Sequence, residues 1–334
     1  MSIWIRVGGV VPADEVAPHS LPTWETLADG GSGECGFLYG TDARHSHRLL
    51  RPGTLLEVLD GCCPLWFGRI VDYDRTGGKV TGRGIHVDAT GIPAVDGSGA
   101  TTRVLSTALA TAQAAPWLWP VHNPYQFDGT ATGEGGEPLM VAALFDQLAE
   151  QAGKRWGIHP DRGLYVLQEA TTPTWAIAPD GLAFGATDSE RVTHLVGRYL
   201  EGETYKTVVV GDGERQPATA RTEDLSDRGS MTQVEATAVL QTMLDAEKGR
   251  TGWTGGVTLS ADQVTRNGVP AYLPGVHARG TMVRVTGMAQ GHGVVQSLWD
   301  QVPLAKTRYD AERPDEIYVE PIGTAPRTLA AVGS

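Results

Sequence analysis

The side chains that could do chemistry in this 334-residue chain fall into a few small groups. The first is Cys35, Cys62 and Cys63 with His45 and His47. Two histidines one residue apart on a strand face the same side, so a soft-metal site can be drawn on paper. No C-x-x-C or H-x-x-x-H spacing supports it, and the plainer reading is a solvated loop for the histidines and small core thiols for the cysteines. The second group is Glu223, Asp224 and Asp227. They could be drawn as an acid pair, but carboxylates gathered before a helix N-terminus are explained by the helix dipole. The third is Asp72-Tyr73-Asp74-Arg75-Thr76-Gly77, which opens like a calcium loop. Arg83 stands where the bidentate glutamate should be, so the stretch reads as a polar turn leaving a strand. The fourth is Trp117-Leu118-Trp119-Pro120, a possible sugar platform and, more simply, a core or interface anchor beside a helix.

No G-x-S-x-G elbow, Walker A loop or H-E-x-x-H motif occurs. Gly291-His292-Gly293 lacks the third glycine of a dinucleotide fingerprint. No catalytic, cofactor-binding or metal-ligating residue is therefore assigned, and no cofactor is expected.

The elements around these residues are mostly strands. Arg51 to Tyr73 reads as a β-hairpin: Pro52-Gly53 and Asp60-Gly61 are turn pairs, and Thr54 to Leu59 has a strand period. Gly68 marks a possible bulge in the return strand. Further strands are expected around Ile3 to Val7, Leu21 to Leu27, Cys35 to Tyr39 and Lys79 to Val87, with Gly30 to Gly33 as a turn. Ile92 to Ala100 has the composition of a linker. Helical spacing follows over Thr101 to Ala115 and Glu137 to Gly153, with a glycine-rich loop from Gly129 to Gly136 between them. A hairpin turns at Asp161-Arg162. Strands return over Val192 to Tyr199 and Tyr205 to Val210, and Ser230 with Gln233 forms a capping box for a helix reaching about Lys248. Short strands follow at Val257 to Leu259, Pro270 to Leu273, Thr281 to Val285, Val294 to Trp299 and Ile317 to Val319.

One echo stands out. The PGTLLEV of Pro52 to Val58 resembles the RGTMVRV of Arg279 to Val285. Either two common strands coincide, or a β-barrel has been duplicated. The expected fold class is mainly β with an α+β insert: two tube-like β-barrel domains plus a small α/β domain. The expected layout is 1–100 for the first barrel, 101–185 for the α/β domain, 186–322 for the second barrel with its long helix, and 323–334 for a flexible tail.

Composition fits. Forty-three glycines and twenty prolines favour short strands and turns. The net charge of −12 argues against gripping a nucleic-acid backbone, and suits a wall past which a polyanion slides. No run is long enough for a membrane span, and the first residues do not read as a signal peptide. Three cysteines cannot all pair, which points to a reduced, intracellular site of synthesis.

With these pieces in order, the chain resembles the baseplate hub, or hub-like minor tail protein, of tailed bacteriophages. The stretches that carry this are PGTLLEVLDGCCPLWFGRIVDYD, MVAALFDQLAEQAGKRWGIHPDRGLYVLQ and RTEDLSDRGSMTQVEATAVLQTML. Within them Arg221, Glu223, Gly229 and the Ser230 helix precede Arg279-Gly280-Thr281 in the family's loose order. The resemblance implies a homotrimer whose six similar barrels adapt a six-fold tube to a three-fold tip. It implies as partners the distal tail protein or tail-tube ring, the tape-measure protein, and central tip or fibre proteins. DNA would pass through without specific binding. The resemblance implies a virion protein of the tail tip, made in the host cytoplasm, without stable membrane insertion and without catalytic residues. Some relatives carry a lysozyme or peptidase domain; no room for one is expected after Tyr318. The rival readings are a carbohydrate- or receptor-binding β module and a hydrolase with a site assembled from distant residues.

Overall fold

The computed structural model describes residues 3–9, 20–39, 49–74, 76–132, 138–167, 172–178, 194–211, 220–248, 256–285 and 301–322. The chain opens with β1 (Ile3–Val7), β2 (Thr23–Leu27), β3 (Gly30–Leu38), β4 (Leu55–Asp60), β5 (Cys63–Tyr73) and β6 (Lys79–Gly84). Helices α1 (Leu105–Gln113) and α2 (Val141–Gln151) precede β7 (Arg155–Ile158), β8 (Leu164–Leu167) and β9 (Trp175–Ile177). Then come β10 (His194–Glu201), β11 (Thr204–Gly211), β12 (Ala220–Asp224) and α3 (Gln233–Lys248). The chain continues through β13 (Val257–Ser260), β14 (Val264–Arg266), β15 (Val269–Pro270), β16 (Met282–Val285), β17 (Gln301–Asp310) and β18 (Glu316–Pro321).

Fifteen strands form one sheet, in the order β1-β4-β5-β6-β3-β2-β17-β16-β9-β14-β15, with β18, β13, β7 and β8 branching from it. The expected hairpin is β4–β5, closed by Gly61-Cys62 with Asp60 opposite Cys63. β17 stitches the two ends of the chain together. Its first residues, Gln301 to Pro303, pair with β16, and its last, Lys306 to Asp310, pair with β2. The change of neighbour falls at a register shift between Leu304 and Lys306.

Alternation along the strands builds the core. In β2, Trp24 and Thr26 point inward while Thr23, Glu25 and Leu27 are partly exposed. Trp24 packs on Tyr309 with ring centroids 4.9 Å apart. One hydrophobic cluster holds Ile5, Val58 and Trp66 from the first half and Val283, Val302 and Val319 from the last. A second cluster joins α1, α2, β7 and β8 to Phe67 and Ile85 of the first half. A third lies between α3 and a separate three-stranded sheet, β11-β10-β12.

Several local expectations change. Gly30 to Gly33 is not a turn but the start of β3, because Gly30 and Gly31 pair in parallel with Gly157 and Ile158 of β7. Gly31 has φ +91°, and a Cβ there would lie 2.2 Å from the Ile158 carbonyl oxygen. The bulges of β5 fall elsewhere than at Gly68, which instead permits close contact: a Cβ on it would sit 2.1 Å from Arg83 O. The strand expected to reach Val87 ends at Gly84, and Ile85–Thr90 is a 3₁₀ helix. Ile92 and Ala94 are buried, so the segment Ile92 to Ala100 is packed at its start, while Gly97 to Ala100 is exposed. The strands at β10 and β11, expected within a barrel, belong to the separate α3-covered sheet. Leu273–Gly275 is a 3₁₀ turn. The expected strand at 294–299 and the tail at 323–334 lie outside the described residues.

Candidate functional site

The polar groups converge where these layers join. Glu57 of β4 sits at one junction with only 4 % of its side chain exposed. Period-2 alternation turns Glu57 away from Val58, toward β1 and the α/β layer. Arg6 of β1, directly opposite in the ladder, donates from Nε and, at 2.7 Å, from Nη2. Arg162, at the turn between β7 and β8, donates to Glu57 Oε1 at 3.1 Å. Its guanidinium also lies 4.9 Å from the centre of the Phe67 ring. Burial pushes the Glu57 carboxyl up, but the bonds from Arg6 and Arg162 outweigh it and hold the group below the ordinary glutamate range.

A second junction is neutral. Thr26 and Thr307 hydroxyls lie 2.7 Å apart across the β2–β17 seam. The Ala278 amide donates to Thr26 Oγ1 at 2.9 Å, and Thr307 donates to the Val276 carbonyl at 3.2 Å. Every group in this buried chain of bonds has a partner, which fixes the segment before β16 over the seam.

A third junction collects titratable groups. Arg279, just ahead of β16, lies with its guanidinium 5.4 Å from the centre of the Tyr165 ring of β8. His277 packs edge-on against Trp175, 5.2 Å away, and its Nδ1 is 3.1 Å from Thr281 Oγ1. Burial and then the Arg279 charge push His277 down to about 3, and the same two causes push His159 down to about 4. Both imidazoles are neutral at neutral pH.

The outer layer offers an open surface. In the β10–β11 pair, Leu195, Tyr199, Val208 and Val210 face α3. The other face presents Val196 opposite Val209 and Arg198 opposite Thr207. Val209 is 56 % exposed and Tyr205 is 55 % exposed, with the Arg198 guanidinium 3.9 Å over the Tyr205 ring.

The residues singled out in the sequence are dispersed. Cys35 is buried in the first half, whereas Cys62 and Cys63 are exposed at the hairpin tip, so only Cys35 is a core thiol. His45 and His47 lie outside the described residues. Among the described residues, no group of three or more His, Cys, Asp and Glu side chains is placed to hold a metal ion. Asp74 accepts the Thr76 amide at 2.8 Å, as a polar turn should. Trp119 is buried and donates to the Ile85 carbonyl, while Trp117 and Leu118 are exposed. Glu223 pairs with Arg221, and Asp224 holds Ser226; neither attends the start of α3. That start is capped by Thr232: the Glu235 amide reaches Thr232 Oγ1 at 3.3 Å, and Glu235 accepts the Thr232 amide at 2.7 Å. Ser230 instead accepts the Gly202 amide at 2.8 Å. The junction residues Glu57, Arg162 and Tyr165 carried no local signal; only the charged position before Val58 in the echo pointed at Glu57.

The overall fold is shared with solved proteins. A tail protein from Neisseria meningitidis MC58 superposes with a TM-score of 0.63 at 15% identity, over 96% of this chain and 95% of that one. The 43 kDa tail protein of prophage MuSo2 from Shewanella oneidensis superposes at 0.60 with 13% identity, over 96% and 97%. The fold is that of a phage tail protein. The resemblance read from the sequence thus holds at the level of fold, and it spans nearly the whole tail-protein chain. No protein-family model and no curated protein matches the sequence.

Proposed function

We propose that this chain is a structural subunit of a phage-type tail: a trimeric hub at the tail tip that joins a six-fold tube to a three-fold end. The observation that carries this reading is the whole-length likeness in fold to two tail proteins. On this reading the two parts of the large sheet, within 1–100 and 186–322, are duplicated tube-like barrels flanking the α/β insert of 101–185. The last four residues of each echo segment, Leu55 to Val58 and Met282 to Val285, lie on strands β4 and β16, which is compatible with duplication. Their neighbours differ, however: β4 has two antiparallel partners, and β16 has one antiparallel and one parallel. A hydrophobic core shared between the first and last parts of the chain, with β17 pairing to both, is compatible with a continuous ring wall. The open face of β10 and β11 suits a subunit contact.

The partners on this reading are two further copies, the distal tail protein or tube ring, the tape-measure protein, and the central tip or fibre proteins. The protein is made in the host cytoplasm, needs no membrane insertion, and acts without catalysis. DNA leaves through the three-fold channel without specific contacts. A chain with 39 Asp and Glu against 27 Lys and Arg suits a neutral or acidic channel wall.

Light scattering on the purified chain tests the central claim. The expected mass is three times 35.5 kDa. A monomer that persists at tens of micromolar, with or without the neighbouring tail proteins, removes the trimer. A channel lined continuously by arginine and lysine removes the passive conduit.

A further inference from the structure

Arg279 is a cation in an awkward place. It stands where the segment before β16 meets the β7–β8 hairpin, and its guanidinium is largely withdrawn from water. Among the described residues no ion pair includes it; its contact is with the face of Tyr165. A ring face offsets only part of what a guanidinium loses on leaving water. The Tyr165 hydroxyl and His159 Nδ1 are also buried without a hydrogen-bond partner. His277 and His159 are neutral and add no counter-charge. Asp161 is the acidic neighbour, yet its Oδ1 accepts the Gly163 amide at 2.9 Å and lies 3.3 Å from His159 Nδ1. It lends Arg279 a favourable field without a bond. Tyr125, 70 % exposed, is near enough to interact electrostatically with Arg279.

We infer that Arg279, floored by Tyr165 and rimmed by Tyr125, His159 and His277, is a receptor for the carboxylate of an Asp or Glu side chain on a neighbouring protein chain. A carboxylate matches the planar fork of a guanidinium with two parallel bonds. It brings one negative charge, which neutralises Arg279. Asp161 beside the site repels a more highly charged anion, so a carboxylate is favoured over phosphate or a nucleic-acid backbone. The inference concerns ligand chemistry alone and does not require a trimer.

The test uses the full chain in 150 mM salt at about pH 7. The probes are acetyl-Gly-Glu-Gly-amide and its Gln counterpart, observed through the imidazole resonances of His159 and His277. The Glu peptide is expected to shift both resonances saturably and the Gln peptide to leave them unmoved. Arg279→Lys should weaken binding about five-fold, and Arg279→Met should abolish it while melting no lower than the parent, because a desolvated charge has gone. Tyr125→Ala, at an exposed rim position, should weaken binding two- to five-fold at an unchanged melting temperature. If the chain self-associates and so fills the site itself, Arg279→Met should instead lower the assembled mass. The inference is overturned if neither peptide response nor mass depends on Arg279. It is also overturned if Arg279→Met melts several degrees lower, or if inorganic phosphate binds more tightly than the Glu peptide.

Discussion

The Arg162 guanidinium donates to Glu57 across 105 residues of chain, at 3.1 Å. Glu57 is thereby held by Arg6 from its own sheet and by Arg162 from the α/β layer. Replacing Glu57 with Gln leaves two arginines facing each other without an anion. A fully buried broken pair costs roughly 3–5 kcal/mol; here both arginines are about one-third exposed, so about 2 kcal/mol is expected. The folded carboxyl titrates below its ordinary 4.5. Its contribution is therefore complete above that value and fades as pH falls through it toward the folded value. Urea melts of the parent should weaken across that acid window, and the Gln variant should lack this component. Equal melts for the two proteins at pH 7 would remove Glu57 as a tie.

Gly31→Ala should separate the α/β layer from the large sheet locally. The new Cβ meets the Ile158 carbonyl oxygen, and alanine is strained at φ +91°. A loss on the order of 2–4 kcal/mol is expected. Hydrogen exchange should speed up at Gly157 and Ile158 before it does at Val58. Unchanged protection there would mean that the parallel pairing is dispensable.

The cap of α3 can be tested by paired variants. Thr232→Ala should cost about 1 kcal/mol, since it removes the acceptor for the Glu235 amide. Ser230→Ala loses only an exposed bond from Gly202 and should cost about 0.5 kcal/mol or less. The reverse order in denaturant midpoints would restore Ser230 as the cap.

Three partly buried histidines should make the protein acid-sensitive. Burial, followed by the charge of Arg83, pushes His86 down to about 4, while His277 falls to about 3 and His159 to about 4. Each lies below the ordinary 6.5, so the unfolded chain takes up protons first as pH falls. Stability from this source is complete above 6.5 and declines from there toward pH 4. Each such histidine contributes up to about 1.4 kcal/mol per pH unit in that window, less where it is partly exposed. Urea midpoints at pH 7.5 and 5.5 should differ accordingly, and a flat profile would mean that the imidazoles take up protons as readily in the folded chain as in the unfolded one.

What could be read in the sequence was local. Pro52-Gly53, Asp60-Gly61 and the period between them specify the β4–β5 hairpin without outside help. Of the stripe Met140, Leu144, Leu148 and Ala152, the middle pair is buried on α2, while Met140 and Ala152 flank the helix and are exposed. Where a local signal misled, tertiary contact decided. Ser230 reads as the cap of α3, but its pairing with Leu200 draws it to the neighbouring strand, and Thr232, which carries no reading of its own, takes the role. Gly30 to Gly33 has turn composition, but Gly157 arrives from a distant layer and makes it a strand. The sites that join layers were silent, because Glu57 with Arg162, or Arg279 with Tyr165, become neighbours only after the chain has folded back on itself.

The β2–β17 seam also sets a clock. Thr26 and Thr307 are 281 residues apart, so the inner face of β2, including Trp24, has no Tyr309 to cover it until residue 309 leaves the ribosome. At about 5–20 residues per second this wait lasts on the order of 15–60 s. Such a distant closure is slow in its own right, because the entropy of a long loop is lost before any contact compensates for it. During the wait β2 is an open edge with an apolar face, available to other nascent copies. A chain shortened before residue 301 should therefore aggregate during synthesis, whereas supplying residues 301–322 as a separate segment should rescue it by completing the seam.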